Sequence, residues 1–141
     1  MKRILLASLA ALAVVLEALP WSAALHFADK GEMKDVYFSS FDPTPFVERN
    51  FGPLFTAVAG SVLLVAALIY LFRSRGLKAV QVLAGAGFLL SLLPYLDVSQ
   101  YFAPLGVCVS VVLLGETVAS FLPLPEEPMS KKRRGGKRKK R

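Results

Sequence analysis

Apolar residues in this chain fall in four long blocks, not in the interleaved stripe of a soluble amphipathic helix. The blocks read Ile4–Phe27, Pro53–Phe72, Leu77–Leu96 and Tyr101–Leu124. Each holds about the twenty residues that a helix rising ~1.5 Å per residue needs to cross a ~30 Å hydrocarbon core. The pattern predicts an all-α polytopic membrane protein, a four-transmembrane-helix bundle over residues 1–125. Its spans are about 4–27, 53–72, 77–96 and 99–124, with an outer loop at 28–52 and a disordered basic tail at 126–141. Arg73-Ser74-Arg75-Gly76 reads as a tight turn that makes spans two and three antiparallel neighbours. Asp97-Val98-Ser99-Gln100 reads as a capping box ahead of span four.

Charge orients the bundle. Fourteen of the 17 basic residues lie at Lys2 and Arg3, at Arg73, Arg75 and Lys78, and in the run Lys131–Arg141. With four crossings all three groups share one side, which the positive-inside rule makes the cytoplasm. The net charge of +7 is therefore very unevenly divided between the two sides. The expected location is a bacterial inner membrane, with both termini cytoplasmic.

The first block admits two readings. Lys2-Arg3 ahead of an apolar run, with Ser22-Ala23-Ala24 behind it, fits a secretory signal cleaved after Ala24. The apolar stretch is longer than a usual signal core and carries Glu17, which favours a retained helix. Pro20 is expected to kink or thin that helix near its outer end, where Trp21 and His26 suit the headgroup level.

The outer loop carries an aromatic surface, Tyr37, Phe38, Phe41 and Phe46, suited to dipping into headgroups, covering the bundle's mouth or docking a partner. Small residues recur four apart in every span, as in Ala57 and Ser61 or Gly87 and Ser91, a pattern that supports a compact bundle or a homo-oligomer. Phe41-Asp42-Pro43-Thr44-Pro45-Phe46, leading to Asn50-Phe51-Gly52-Pro53 and a second span, resembles a group of small four-pass bacterial membrane proteins of unassigned activity. That resemblance covers most of the chain apart from the tail and implies a short membrane bundle.

Two acids lie inside spans, Glu17 and Glu116. A charge there costs ~2.5–3.5 kcal/mol on insertion scales, so both are expected to face the bundle interior. Their depths differ by some ten ångströms when counted along the helices, which argues against a paired-carboxylate site. Each is expected to anchor its own polar layer. Ser61, Ser91 and Cys108 or Ser110 share the level of Glu17; Ser8, Tyr70 and Gln81 share that of Glu116, with Lys78 reaching up to pair. These groups either join helices or line an ion, proton or small-solute path. Cys108 is expected to be a buried structural thiol.

Catalytic patterns are missing: no Gly-rich phosphate loop, no Ser-His-Asp set, no HExxH helix, and one His and one Cys. No catalytic residue, cofactor or metal is assigned, and a non-enzymatic role is expected. The tail presents Lys131, Lys132, Arg133, Arg134, Lys137, Arg138, Lys139, Lys140 and Arg141. Each contributes about 1 kcal/mol against an anionic leaflet, so anionic phospholipid headgroups are its default partner, followed by an acidic protein. It has no aromatics to stack on bases, which disfavours sequence-specific nucleic acid. The leading expectation is an accessory or scaffold protein; the alternative is a subunit of an oligomeric channel or transporter using Glu17 or Glu116.

Overall fold

A computed structural model describes residues 1–29, 32–44, 51–97 and 103–123, and is mostly helical. The elements are α1 (Lys2–Ala18), β1 (Ala23–Asp29), β2 (Glu32–Phe38), α2 (Gly52–Arg73), α3 (Leu77–Ser91), a 3-10 turn (Leu93–Asp97) and α4 (Pro104–Phe121). Three helical stretches, Gly52–Arg73, Leu77–Leu96 and Pro104–Phe121, are long and apolar enough to cross a membrane.

Prolines set most of the helix ends. A residue before proline is disfavoured in helical geometry by the ring's Cδ. Leu19, Ala103 and Leu122 each precede a proline and each is extended, with ψ of 146°, 125° and 142°. So α1 stops at Ala18, α4 begins at Pro104, and α4 stops at Phe121. Pro104 also suits the first helical position, where the missing N–H is not needed. Two expected spans are corrected by this rule. The first does not run to Phe27 but has 17 residues, and the fourth starts at Pro104. The proposed capping box extends to residues 98–100, outside the described residues.

The second correction is a β-hairpin where an extended span and an irregular loop were expected. β1 and β2 pair antiparallel, with Ala23 opposite Phe38, His26 opposite Asp35 and Asp29 opposite Glu32. An isolated hairpin is marginal in water. This one is held at its base, where Ser22, Ala23, Ala24, Leu25 and Ser40 are buried. Trp21 takes a left-handed φ of 74° to turn the chain from α1 into β1. The Ala24 peptide bond suggested as a cleavage point thus lies in an enclosed strand.

Each helix packs on two neighbours, α1 on α2 and α4, and α3 on the same pair, which closes a four-helix ring. Lys2 Nζ donates to the Leu122 carbonyl at 2.7 Å, and the Leu105 N–H donates to the Trp21 carbonyl, so α1 and α4 run antiparallel. Arg3 lies over the Tyr70 ring, which sets α1 antiparallel to α2 as well. One end therefore carries the hairpin. The other carries Lys2, Arg3, the exposed Arg73, Arg75 and Lys78, and the exit towards the tail.

Interior positions follow the helical repeat: Leu6, Ala10, Ala13 and Glu17 on α1; Thr56, Gly60, Leu63, Ala67 and Tyr70 on α2; Val80, Ala84, Gly87 and Ser91 on α3; Val109, Leu113, Glu116 and Ser120 on α4. Large apolar side chains such as Val15, Val65, Phe72, Val82, Leu89 and Val111 point outwards instead. Small residues inside and large apolar ones outside is the arrangement expected where the solvent is lipid, since apolar surface gains nothing by leaving it.

Gly52 shows how tight the contacts are. A Cβ there would sit 2.6 Å from the Pro94 ring, which cannot move aside. Gly52→Ala should therefore destabilise by about 1–3 kcal/mol through overpacking. Gly85→Ala, where a Cβ meets nothing within 4 Å, should instead stabilise by up to about 1 kcal/mol from helix propensity. Denaturant unfolding of the two variants in detergent checks the opposite signs.

Candidate functional site: two buried carboxyls

Glu17 and Glu116 continue the interior stripes of their helices, and each is fully buried. None of their four carboxyl oxygens has a hydrogen-bond partner among the described residues. Counted from the Lys2–Leu122 contact, Glu17 lies ~22 Å and Glu116 ~9 Å along the bundle, so the two are separated by ~13 Å in depth. As expected from the sequence, they do not form a pair.

Glu17 occupies the last turn of α1, where backbone carbonyls lack intrahelical donors. Its carbonyl accepts from Ser22 Oγ at 2.9 Å, Ser39 Oγ at 3.0 Å and the Ser40 N–H at 2.9 Å. Ser22 Oγ also accepts from the Ser40 N–H and hydroxyl, at 2.8 and 2.9 Å. Three serines from both ends of the hairpin are thereby tied to one peptide group. The Glu17 side chain points at α2, where a Cβ on Gly60 would lie 2.6 Å from Oε2 and 3.0 Å from Oε1. A Cβ at position 60 would therefore require the carboxyl to shift.

Beside this knot the hairpin end holds a small cavity of about 20 Å³, room for about one water. Hydroxyls from Ser22, Ser40, Thr56, Ser91 and Tyr95 contribute to its lining. Thr56 stands one turn from Gly60 on the same face of α2.

The expected polar layers are not hydrogen-bonded to the acids. Ser61 donates to the Ala57 carbonyl at 2.8 Å and Ser91 to the Phe88 carbonyl at 2.7 Å. Ser110 donates to the Gly106 carbonyl at 3.1 Å and, at 3.4 Å, to that of Ser91. Hydroxyls within helices satisfy themselves locally on preceding carbonyls, which leaves none for a distant carboxyl. Near the other end, Gln81 Nε2 donates to the Ser120 carbonyl at 3.1 Å and so joins α3 to α4 without reaching Glu116. Lys78 is exposed and does not pair with Glu116, and Ser8 is exposed as well. Cys108 also faces outwards, contrary to expectation, because it lies one residue off the α4 stripe at Val109.

Tyr37 and Phe41 are exposed and Phe38 is half-buried, whereas Phe46 and Lys131–Arg141 lie outside the described residues. His26 Nδ1 contacts Asp35 Oδ1 across the hairpin. The Thr44 hydroxyl and N–H donate to Asp42 and hold its carboxyl below the usual carboxylate range. Among the described residues no three His, Cys, Asp or Glu side chains come together to hold a metal ion. Ser22, Ser39, Ser40, Thr56 and Gly60 were missed by sequence reasoning. The signal that could have found the hairpin serines is Pro20, which ends α1 and frees its last carbonyls. Comparison of the chain with protein-family models, curated proteins and solved structures gave no match.

Gly60→Ala should cost about 1–3 kcal/mol, because the added methyl displaces an enclosed carboxyl. In a Glu17→Ala background that cost should largely disappear, with a coupling of about 0.5–3 kcal/mol. A double-mutant cycle of unfolding free energies in detergent measures it; additive effects would show that the two residues do not touch.

Proposed function

We propose that the protein is a four-span integral membrane protein of accessory or scaffold type, whose basic tail contacts anionic lipid or an acidic partner at the cytoplasmic face. The supporting observation is the distribution of charge on the bundle. Lys2, Arg3, Arg73, Arg75 and Lys78 all gather at the end from which α4 runs towards Lys131–Arg141. A single cationic end on an apolar body is what the positive-inside rule requires of an even number of crossings. α1 rises only ~25 Å, and modest thinning of the bilayer or snorkelling of Lys2 and Arg3 makes up the shortfall.

A second reading is favoured by one specific observation: both intramembrane acids are enclosed without a partner among the described residues. Ionisable groups inside spans are costly and mark ion or proton pathways in many membrane proteins. Under this reading the protein is a subunit of an oligomeric channel or transporter using Glu17 or Glu116.

In proteoliposomes, trypsin should cleave Lys131–Arg141 several-fold more slowly when the lipid is rich in phosphatidylglycerol than when it is phosphatidylcholine alone. The difference should vanish near ~1 M salt, where the Debye length falls to ~3 Å. Equal rates in the two lipids would remove lipid contact, leaving an acidic partner, sought by cross-linking in native membranes with and without the tail.

A further inference from the structure

We propose that Glu17 is a proton-binding site served from the hairpin end, through the hydroxyl-lined cavity, and closed off from Glu116 by an apolar plug. The inference concerns proton binding, not conduction, and so stands or falls separately from either reading of the protein's role.

Three observations carry it. First, the Glu17 carboxyl is completely enclosed, and neither oxygen has a hydrogen-bond partner among the described residues. An ionised carboxylate left so would be very costly, and it is relieved by taking a proton or a water. Second, the residue adjoins residues that line the cavity. Its carbonyl is held by Ser22, a cavity-lining side chain, and its carboxyl lies against Gly60, one helical turn from the cavity-lining Thr56. The Thr56 hydroxyl donates to the Gly52 carbonyl at 2.8 Å, so towards the cavity its oxygen serves as an acceptor that positions a water. A rise of ~6 Å per four residues is spanned by one water between a carboxyl and a hydroxyl. Third, the route towards Glu116 is filled. The position of a Gly87 Cβ is 3.7 Å from both Leu113 methyls and 3.9 Å from Ala59 Cβ. Leu113 thus packs α4 against α3 one turn from Glu116, while Leu63 on α2, one turn from Gly60, is also fully buried and belongs to the same apolar cluster.

No charged group competes for the carboxyl among the described residues. α2 brings Thr56, Ala57 and Gly60 to this level, α4 brings Val109 and Ser110, and the hairpin base brings Ser22, Ser39 and Ser40. Tyr95 is the titratable side chain of the cavity, and His26 is engaged with Asp35 across the hairpin. The remaining buried charged side chains are Lys2, bonded to Leu122 at the opposite end, and Glu116 beyond the plug. On release, the carboxyl O–H bond breaks and the proton passes to a water held by the cavity hydroxyls, whose surplus proton moves on through water to the hairpin-side solvent. Uptake is the reverse.

The test is infrared spectroscopy of the full chain in phosphatidylcholine nanodiscs, following the protonated-carboxyl carbonyl band after transfer from acidic H2O to D2O buffer. Glu17→Gln identifies the band of Glu17, and Glu116→Gln that of Glu116. Glu17 should exchange quickly, and Thr56→Val, which keeps the side chain's shape and removes a cavity hydroxyl, should slow its exchange about tenfold, as loss of one relay hydrogen bond implies. Glu116→Gln should leave the Glu17 rate unchanged. An unchanged rate in Thr56→Val, or a Glu17 rate that falls in Glu116→Gln, would overturn the proposal. If Glu17→Gln fails to fold, the wild-type band still decides: two components must exchange at different rates, with Thr56→Val slowing the faster one, and a single uniform rate overturns the assignment.

Discussion

The rest of the structure depends on how the end of α1 satisfies its backbone. A helix that stops inside an apolar body leaves carbonyls that cannot turn to water. Pro20 forces the stop and removes the N–H that would have bonded Leu16. Leu19 supplies a 3-10-type replacement to Leu16, and the Glu17 carbonyl takes three donors from Ser22, Ser39 and Ser40. These donors come from both ends of the hairpin, so the chain must return to the same point after β2. One capping problem therefore fixes where the hairpin starts, where it ends, and which end of the bundle it closes.

The same knot positions the chemistry. With its carbonyl pinned, Glu17 projects its carboxyl inwards onto α2, into the space that the missing side chain of Gly60 leaves. Such a contact combines two features usually kept apart in membrane bundles: close backbone approach at a small residue, and a polar group at the seam. Here the polar group makes no hydrogen bond across the seam, so it contributes position without adhesion. Association of the helices rests instead on the packing of Leu6, Leu63, Val80 and Leu113 around the alanine positions.

Much of this was legible in the sequence, for reasons that differ by element. The apolar blocks located α2, α3 and α4 because a lipid-facing helix must be apolar all round, which leaves a strong signal. The interior positions of Glu17 and Glu116 followed from the cost of exposing an acid to hydrocarbon. β1 was hidden because Ala23, Ala24 and Leu25 extend the first apolar block without a break, and hydropathy alone does not separate a buried strand from a helix. Pro20 and the Val36-Tyr37-Phe38 run after Gly31 were the contrary signals. Partners of the acids were illegible for another reason. Depth counting identifies which side chains share a level, but a serine in a helix prefers the carbonyl a turn behind it, as Ser61 and Ser91 do.

The two acids are alike in burial but not in surroundings, and that contrast limits what the bundle does. Glu17 stands near a hydroxyl-lined recess at the hairpin end. Glu116 stands below Leu113, near an end crowded with Lys2, Arg3, Arg73, Arg75 and Lys78. A cation travelling from one acid to the other would have to pass the Leu63 and Leu113 layer and then leave through a positively charged rim, both unfavourable steps. A charged species of either sign would thus meet an apolar layer between the two acids. Packing therefore places each acid in its own half of the bundle, Glu17 against Gly60 at the hairpin end and Glu116 one turn from Leu113 towards the cationic end.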